Sequence, residues 1–117
     1  MLHKHDKCRG ITLFRWFRLN IELWYCPPNY SIRMHRHAHF DGEVLLLVAS
    51  CWVRKYSSKA PDTIRESDSL FTWFSVPRNV VHWVDTKGSK WIPTIFINVE
   101  KWTVKPTTAA KDFITIN

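Results

Sequence analysis

Three histidines alternate within residues 31–50, SIRMHRHAHFDGEVLLLVAS, at positions 35, 37 and 39, and Glu43 follows just ahead of an apolar run. Side chains alternate between faces along an extended strand, so His35, His37 and His39 point one way. Glu43 shares their parity and reaches the same space if the register holds through the connection. Neutral imidazoles and a carboxylate converging on one space are the donor set of a divalent transition metal. A lone histidine on an apolar strand is ordinarily a hydrogen-bonded core residue. Three in alternation with a glutamate are harder to assign to packing.

Such a set needs strands to position it. The apolar residues are dominated by β-branched and aromatic types, which favour strands. Residues 11–19 suit a strand or a short helix, Asn20 breaks the run, and residues 21–25 resume it. Cys26-Pro27-Pro28-Asn29 reads as a turn, because prolines do not sit in central strands. Residues 30–39 form the histidine strand, Phe40-Asp41-Gly42 a turn, and residues 43–53 a long apolar strand whose Glu43 parity runs through Leu45, Leu47, Ala49 and Cys51. Residues 54–68, polar and containing Pro61, read as a loop, with room for a short strand at 63–66. Further strands are expected at 70–76, 80–84, 91–99 and 113–116, with turns at Pro77-Arg78-Asn79 and at 85–89. No segment shows helical periodicity, so the expected class is all-β, a sandwich or barrel.

The 117 residues suit one domain, with residues 1–10 a flexible lead-in and 21–99 the site-bearing barrel. Seventeen Lys and Arg against ten Asp and Glu give a formal charge of +7. That charge permits attraction to nucleic acid, but the basic residues are scattered and no motif supports such a partner. Three cysteines without a C-x-x-C pair argue against a disulfide framework and for a reducing cytoplasm. No signal peptide and no apolar run of membrane-spanning length is visible. G-x-S-x-G, P-loop and G-x-G-x-x-G motifs are absent, which leaves serine-hydrolase, phosphate-loop and dinucleotide readings without support.

Two segments resemble the paired motifs of the cupin superfamily. His37-Ala38-His39, three residues and then Glu43 match the H-x-H…E core of the first motif; Pro77-Arg78-Asn79-Val80-Val81-His82 matches the P-x-G-x-x-H of the second. Ser31, Ser50, Phe71 and Asn79 stand where the family has glycine, and Thr86 where it has asparagine. Asn tolerates positive φ, so the Asn79 replacement is mild. The resemblance implies a double-stranded β-helix, or jelly-roll, barrel with His37, His39, Glu43 and His82 around one metal (Fe, Mn, Ni or Zn). His35 with His37 is an alternative pair that leaves Glu43 further along the chain; in the main reading His35 sits at the barrel rim, where it meets substrate, or stands behind the metal ligands.

Glu43 is then a ligand or a base that swings off the metal. Arg33, of the histidines' parity, is either at the barrel mouth to pair with an anionic ligand group or a plain surface arginine, and Trp73 and Trp83 either pack in the barrel core or form an aromatic wall around a small-molecule substrate. The implied function is a metal-dependent enzyme, dioxygenase-like first and isomerase or lyase second; a non-catalytic ligand- or metal-sensing barrel is the alternative. Homodimer formation through the apolar segment 11–25 is a further expectation.

Overall fold

The computed structural model describes residues 2–48, 51–57, 60–67, 72–86 and 91–115. Its strands are β1 (Leu2–His5), β2 (Cys8–Trp16), β3 (Leu19–Cys26), β4 (Ile32–Arg36), β5 (Phe40–Val48), β6 (Cys51–Ser57), β7 (Ala60–Ser67), β8 (Thr72–Val76), β9 (Val81–Thr86), β10 (Thr94–Trp102) and β11 (Ile114–Thr115). No helix occurs among the described residues. One sheet runs β1-β2-β3-β10-β5-β8 and the other β11-β4-β9-β6-β7. From β4 to β10 the chain crosses repeatedly between the sheets, with antiparallel neighbours throughout, the double-sheet jelly roll expected from the sequence.

Inward-facing positions are even-numbered on the three central strands β3, β5 and β10 of the larger sheet. β3 buries Asn20, Glu22, Trp24 and Cys26; β5 buries Phe40, Gly42 and Leu46; β10 buries Thr94, Asn98, Glu100 and Trp102. The apolar core is divided among Leu46 with Val76, Trp24 with Cys8 and Cys26, and Phe40 with Trp102 and Ala109. Gly10 allows Trp24 to lie flat on its strand, since a Cβ there would meet the indole at 2.5 Å.

A polar layer occupies the same interior. Glu22 and Glu100 are fully buried on β3 and β10. Glu100 Oε1 accepts from Asn20 Nδ2 and Trp102 Nε1 and its Oε2 from Asn98 Nδ2, at 2.7–2.9 Å. Glu22 Oε1 accepts from Trp24 Nε1 and the Ala109 amide. Burial, together with the adjacent Glu22 carboxylate, raises Glu100 to about 9, so it holds a proton at neutral pH. Burial also penalises a charged Glu22, but hydrogen bonds from Glu100 and its other donors outweigh that and lower it. Glu22 Oε2 lies 3.3 Å from His3 Nε2.

Several expectations are corrected. Residues 2–10, read as part of a flexible lead-in, lie in β1 and β2 and the turn between them. Asn20 does not break a strand: the turn comes earlier, at Phe17 with φ 53°, and Asn20 is buried within β3. Phe40-Asp41-Gly42 is the start of β5, not a turn. The long strand expected over 43–53 is β5 and β6, in different sheets; the loop expected over 54–68 contains the rest of β6 and all of β7, within which the short strand expected at 63–66 falls. Pro61 is tolerated because β7 is an edge strand. Cys8 and Cys26 form a disulfide, Cα–Cα 4.4 Å apart, linking β2 to β3. Counting cysteines overlooked that a hairpin can put two of them on one inward face. The pairing removes the premise from which a reducing cytoplasm was expected. Ser50, Phe71, the 87–89 part of an expected turn and the Cys51 side chain lie outside the described residues.

Candidate metal centre

His35 on β4 stands directly opposite His82 on β9 in the antiparallel register, which puts both side chains on the same face of the smaller sheet. His37 follows two residues after His35, just beyond the end of β4. All three are buried, and their ligand nitrogens lie within 4.8 Å of one another. Ring centroids are 4.1 Å apart for His35–His82, 4.8 Å for His35–His37 and 5.3 Å for His37–His82.

A backbone carbonyl holds each ring by Nδ1. His35 donates to Arg33 O at 2.6 Å, His82 to Val80 O at 3.0 Å, and His37 to Asp112 O. A carbonyl can only accept, so each Nδ1 carries the proton and each Nε2 keeps its lone pair. Burial lowers the pKa of His35, and the nearby His82 and His37 lower it further. Burial lowers His37 as well, against the opposing hydrogen bond to Asp112. His35 and His37 are therefore neutral, the state in which imidazole binds a metal, and all three rings turn an Nδ1–H to a backbone carbonyl.

The remaining members of the expected set lie elsewhere. The chain bends at Ala38–His39 between β4 and β5, and inward parity changes from odd (35, 37) to even (40, 42, 44, 46). His39 is turned to the outside, its side chain 54% exposed, and donates from Nδ1 to Asp112 Oδ1 at 2.8 Å. Glu43 lies on the opposite face of β5, accepting from Trp73 Nε1 at 2.9 Å and Ser75 Oγ at 2.6 Å. Trp73 is half exposed there, and neither it nor Trp83 lines the central cavity. Arg33 is exposed and lines a shallow pocket with Asp6 and Tyr30, which shares His5 and Phe113 with the central cavity.

That cavity, about 730 Å³ with its open mouth, lies between the two sheets. The three histidines form one part of its wall, and Trp24, Ile32, Phe40, Leu46 and Phe96 much of the rest, with Asn98 as a polar point. Asp112, Phe113 and the disulfide are site elements that sequence reasoning missed. Phe113 stacks on His35 at 3.9 Å and 16°, and nothing in the polar segment before it signals that contact. The turn Pro77-Arg78-Asn79 docks on the histidine strand: Asn79, at φ 64° as its glycine-like place requires, donates from N to His37 O, and Arg36 donates to its side chain.

No family model matches the sequence, and no curated protein matches it. Solved structures do match in fold. The oxalate decarboxylase of Lactobacillus farciminis, in a formate complex, superposes with a TM-score of 0.76 at 12% identity, over 99% of this chain and 33% of that one. The capsular polysaccharide assembling protein CapF of Staphylococcus aureus gives 0.76 at 11%, over 100% and 32%. KdgF from Halomonas sp. gives 0.67 at 10%, over 89% of both chains. The fold is that of the cupins. This chain spans about a third of the first two proteins and most of the length of the third.

Proposed function

We propose that the protein is a metal-binding cupin in which His35, His37 and His82 hold one divalent transition ion, presented to a small molecule in the cavity. The observation that carries this reading is the common hydrogen-bonding pattern: three buried imidazoles, each fixed at Nδ1 by a carbonyl, with ligand nitrogens grouped closely enough for small ring movements to bring them onto one ion. A bound ion would supply Lewis-acid polarisation and, if redox-active, electron transfer with dioxygen. The chain's own residues hold and orient it, and the apolar wall excludes water from the space beside it. Asn98 offers a ligand one polar contact.

Three histidines without a protein carboxylate leave coordination positions open, which favours a metal-dependent enzyme of the dioxygenase kind, with isomerase or lyase chemistry next. Fe, Mn, Ni and Zn all suit imidazole nitrogen. The oxalate decarboxylase likeness adds the fold to this reading and leaves the substrate open, given 12% identity. Metal content of untagged protein, followed by oxygen uptake with diketones, thiols or phenols, tests it. About one ion per chain with uptake supports a dioxygenase, uptake-free turnover moves the chemistry to an isomerase or lyase, and wild-type protein that takes up no added Fe(II), Mn(II), Ni(II) or Zn(II) overturns the metal reading.

A further inference from the structure

Residues 103–113 run from the end of β10 to the start of β11 and close on His39 at both ends. At one end Thr103 N and Oγ1 donate to His39 O at 2.8 and 3.1 Å; at the other, Asp112 Oδ2 accepts from His39 N at 2.9 Å and Oδ1 from the His39 ring at 2.8 Å. Midway, Ala109 N donates to the buried Glu22. The Asp112 carboxylate is itself buried, and the amide of the same residue donates to Thr108 O. One residue is therefore tied down through both its side chain and its backbone. Its remaining group, the carbonyl, accepts the Nδ1–H of His37.

We infer that Asp112 is a positioning residue for His37: its carboxylate, gripped by His39, holds its carbonyl where it selects the Nδ1–H tautomer of His37 and aims Nε2 into the cavity. His39 then belongs to the site as the anchor of this strap and has no part in the metal shell. His35 and His82 take their carbonyls from residues two positions earlier in their own segments, so local backbone suffices for them. His37 alone of the three depends on a partner 75 residues away. Second-sphere partners that fix the orientation of a metal-binding histidine typically change affinity ten- to a hundredfold when removed.

The affinity part of this inference rests on the metal reading above; the tautomer part does not. The test records long-range ¹H–¹⁵N correlations of the histidine rings in metal-free protein, with Zn(II) titrations alongside. In Asp112→Ala the His37 signals are expected to leave the Nδ1–H pattern while His35 and His82 keep it, and the Zn(II) Kd is expected to rise ten- to a hundredfold. Asp112→Asn, whose amide oxygen still accepts from His39 N, is expected to restore much of both. His39→Ala, which keeps the backbone bond, provides a milder lesion if Asp112→Ala does not fold. A purely structural role would lower thermal stability and leave the His37 ring pattern intact. That result in Asp112→Ala, or in His39→Ala where Asp112→Ala does not fold, overturns the inference. Wild-type protein with the expected ring pattern but no Zn(II) uptake overturns the metal reading instead, and the ring signals of the variants still decide the role of Asp112.

Discussion

At the scale of single residues, the neutral state of the site histidines has a thermodynamic consequence. His35 and His37 have folded pKa values below the ordinary 6.5. In the unfolded chain they take up protons as pH falls through that value; in the fold they do so only at lower pH. Their contribution is therefore present above 6.5 and lost progressively below it, by about 1 kcal/mol per pH unit for each ring. Metal-free protein is expected to lose urea stability steeply between pH 6.5 and 5, and a His35→Asn, His37→Asn double variant to show a flatter profile. Equal slopes would contradict neutral burial. Glu100 has the opposite sign. Its folded value of about 9 lies above the unfolded 4.5, so its stabilising contribution is complete below 4.5 and declines as pH rises toward 9. The stability of Glu100→Gln relative to wild type is expected to grow across that window, by at most about 1 kcal/mol per pH unit. A difference independent of pH would mean that Glu100 does not carry the proton.

At the scale of elements, the positions of strands decide which residues meet. The alternation of His35 and His37 was legible in the sequence because both follow the register shift that β4 makes between Ile32 and His35 and precede the bend at Ala38–His39. The same parity rule failed for His39 and Glu43 because the bend at Ala38–His39 shifts the inward face by one residue. A one-residue slip sends every following side chain to the other face, and no local signal marks it. His82 was legible through its motif, and the structure explains why the motif survives without glycine: Asn79 takes the positive φ. Asp112 and Phe113 were not legible, since their contacts with His37 and His35 cross more than 70 residues of chain. The Cys8–Cys26 disulfide closes a segment with a sequence separation of 18 and also lines the cavity. Reduction, or a Cys8→Ala, Cys26→Ala pair, is expected to lower stability by about 3 kcal/mol in denaturant titrations. Unchanged stability on verified reduction would show that the hydrogen-bonded hairpin suffices.

At the scale of the whole molecule, the all-β class followed from strand-favouring composition and closely spaced turns and the jelly roll from the resemblance to the cupin motifs, and the barrel interior is organised in two zones. Glu22, Asn20, Asn98 and Glu100 form a hydrogen-bonded polar layer, and the histidines face an otherwise largely apolar cavity. No helix among the described residues is long and apolar enough to cross a membrane. A ligand that binds only the folded chain stabilises it by mass action, by about 2.7 kcal/mol at a hundred times its Kd. Metal titration followed by both stoichiometry and thermal unfolding therefore reads occupancy and folding together. The most direct measurement compares wild type, His35→Ala and Glu43→Gln after loading with Zn(II) and gel filtration. Wild type and Glu43→Gln are expected to retain about one ion per chain and a raised Tm, and His35→Ala to lose both. Retention by His35→Ala with loss in Glu43→Gln would contradict a centre built from His35, His37 and His82.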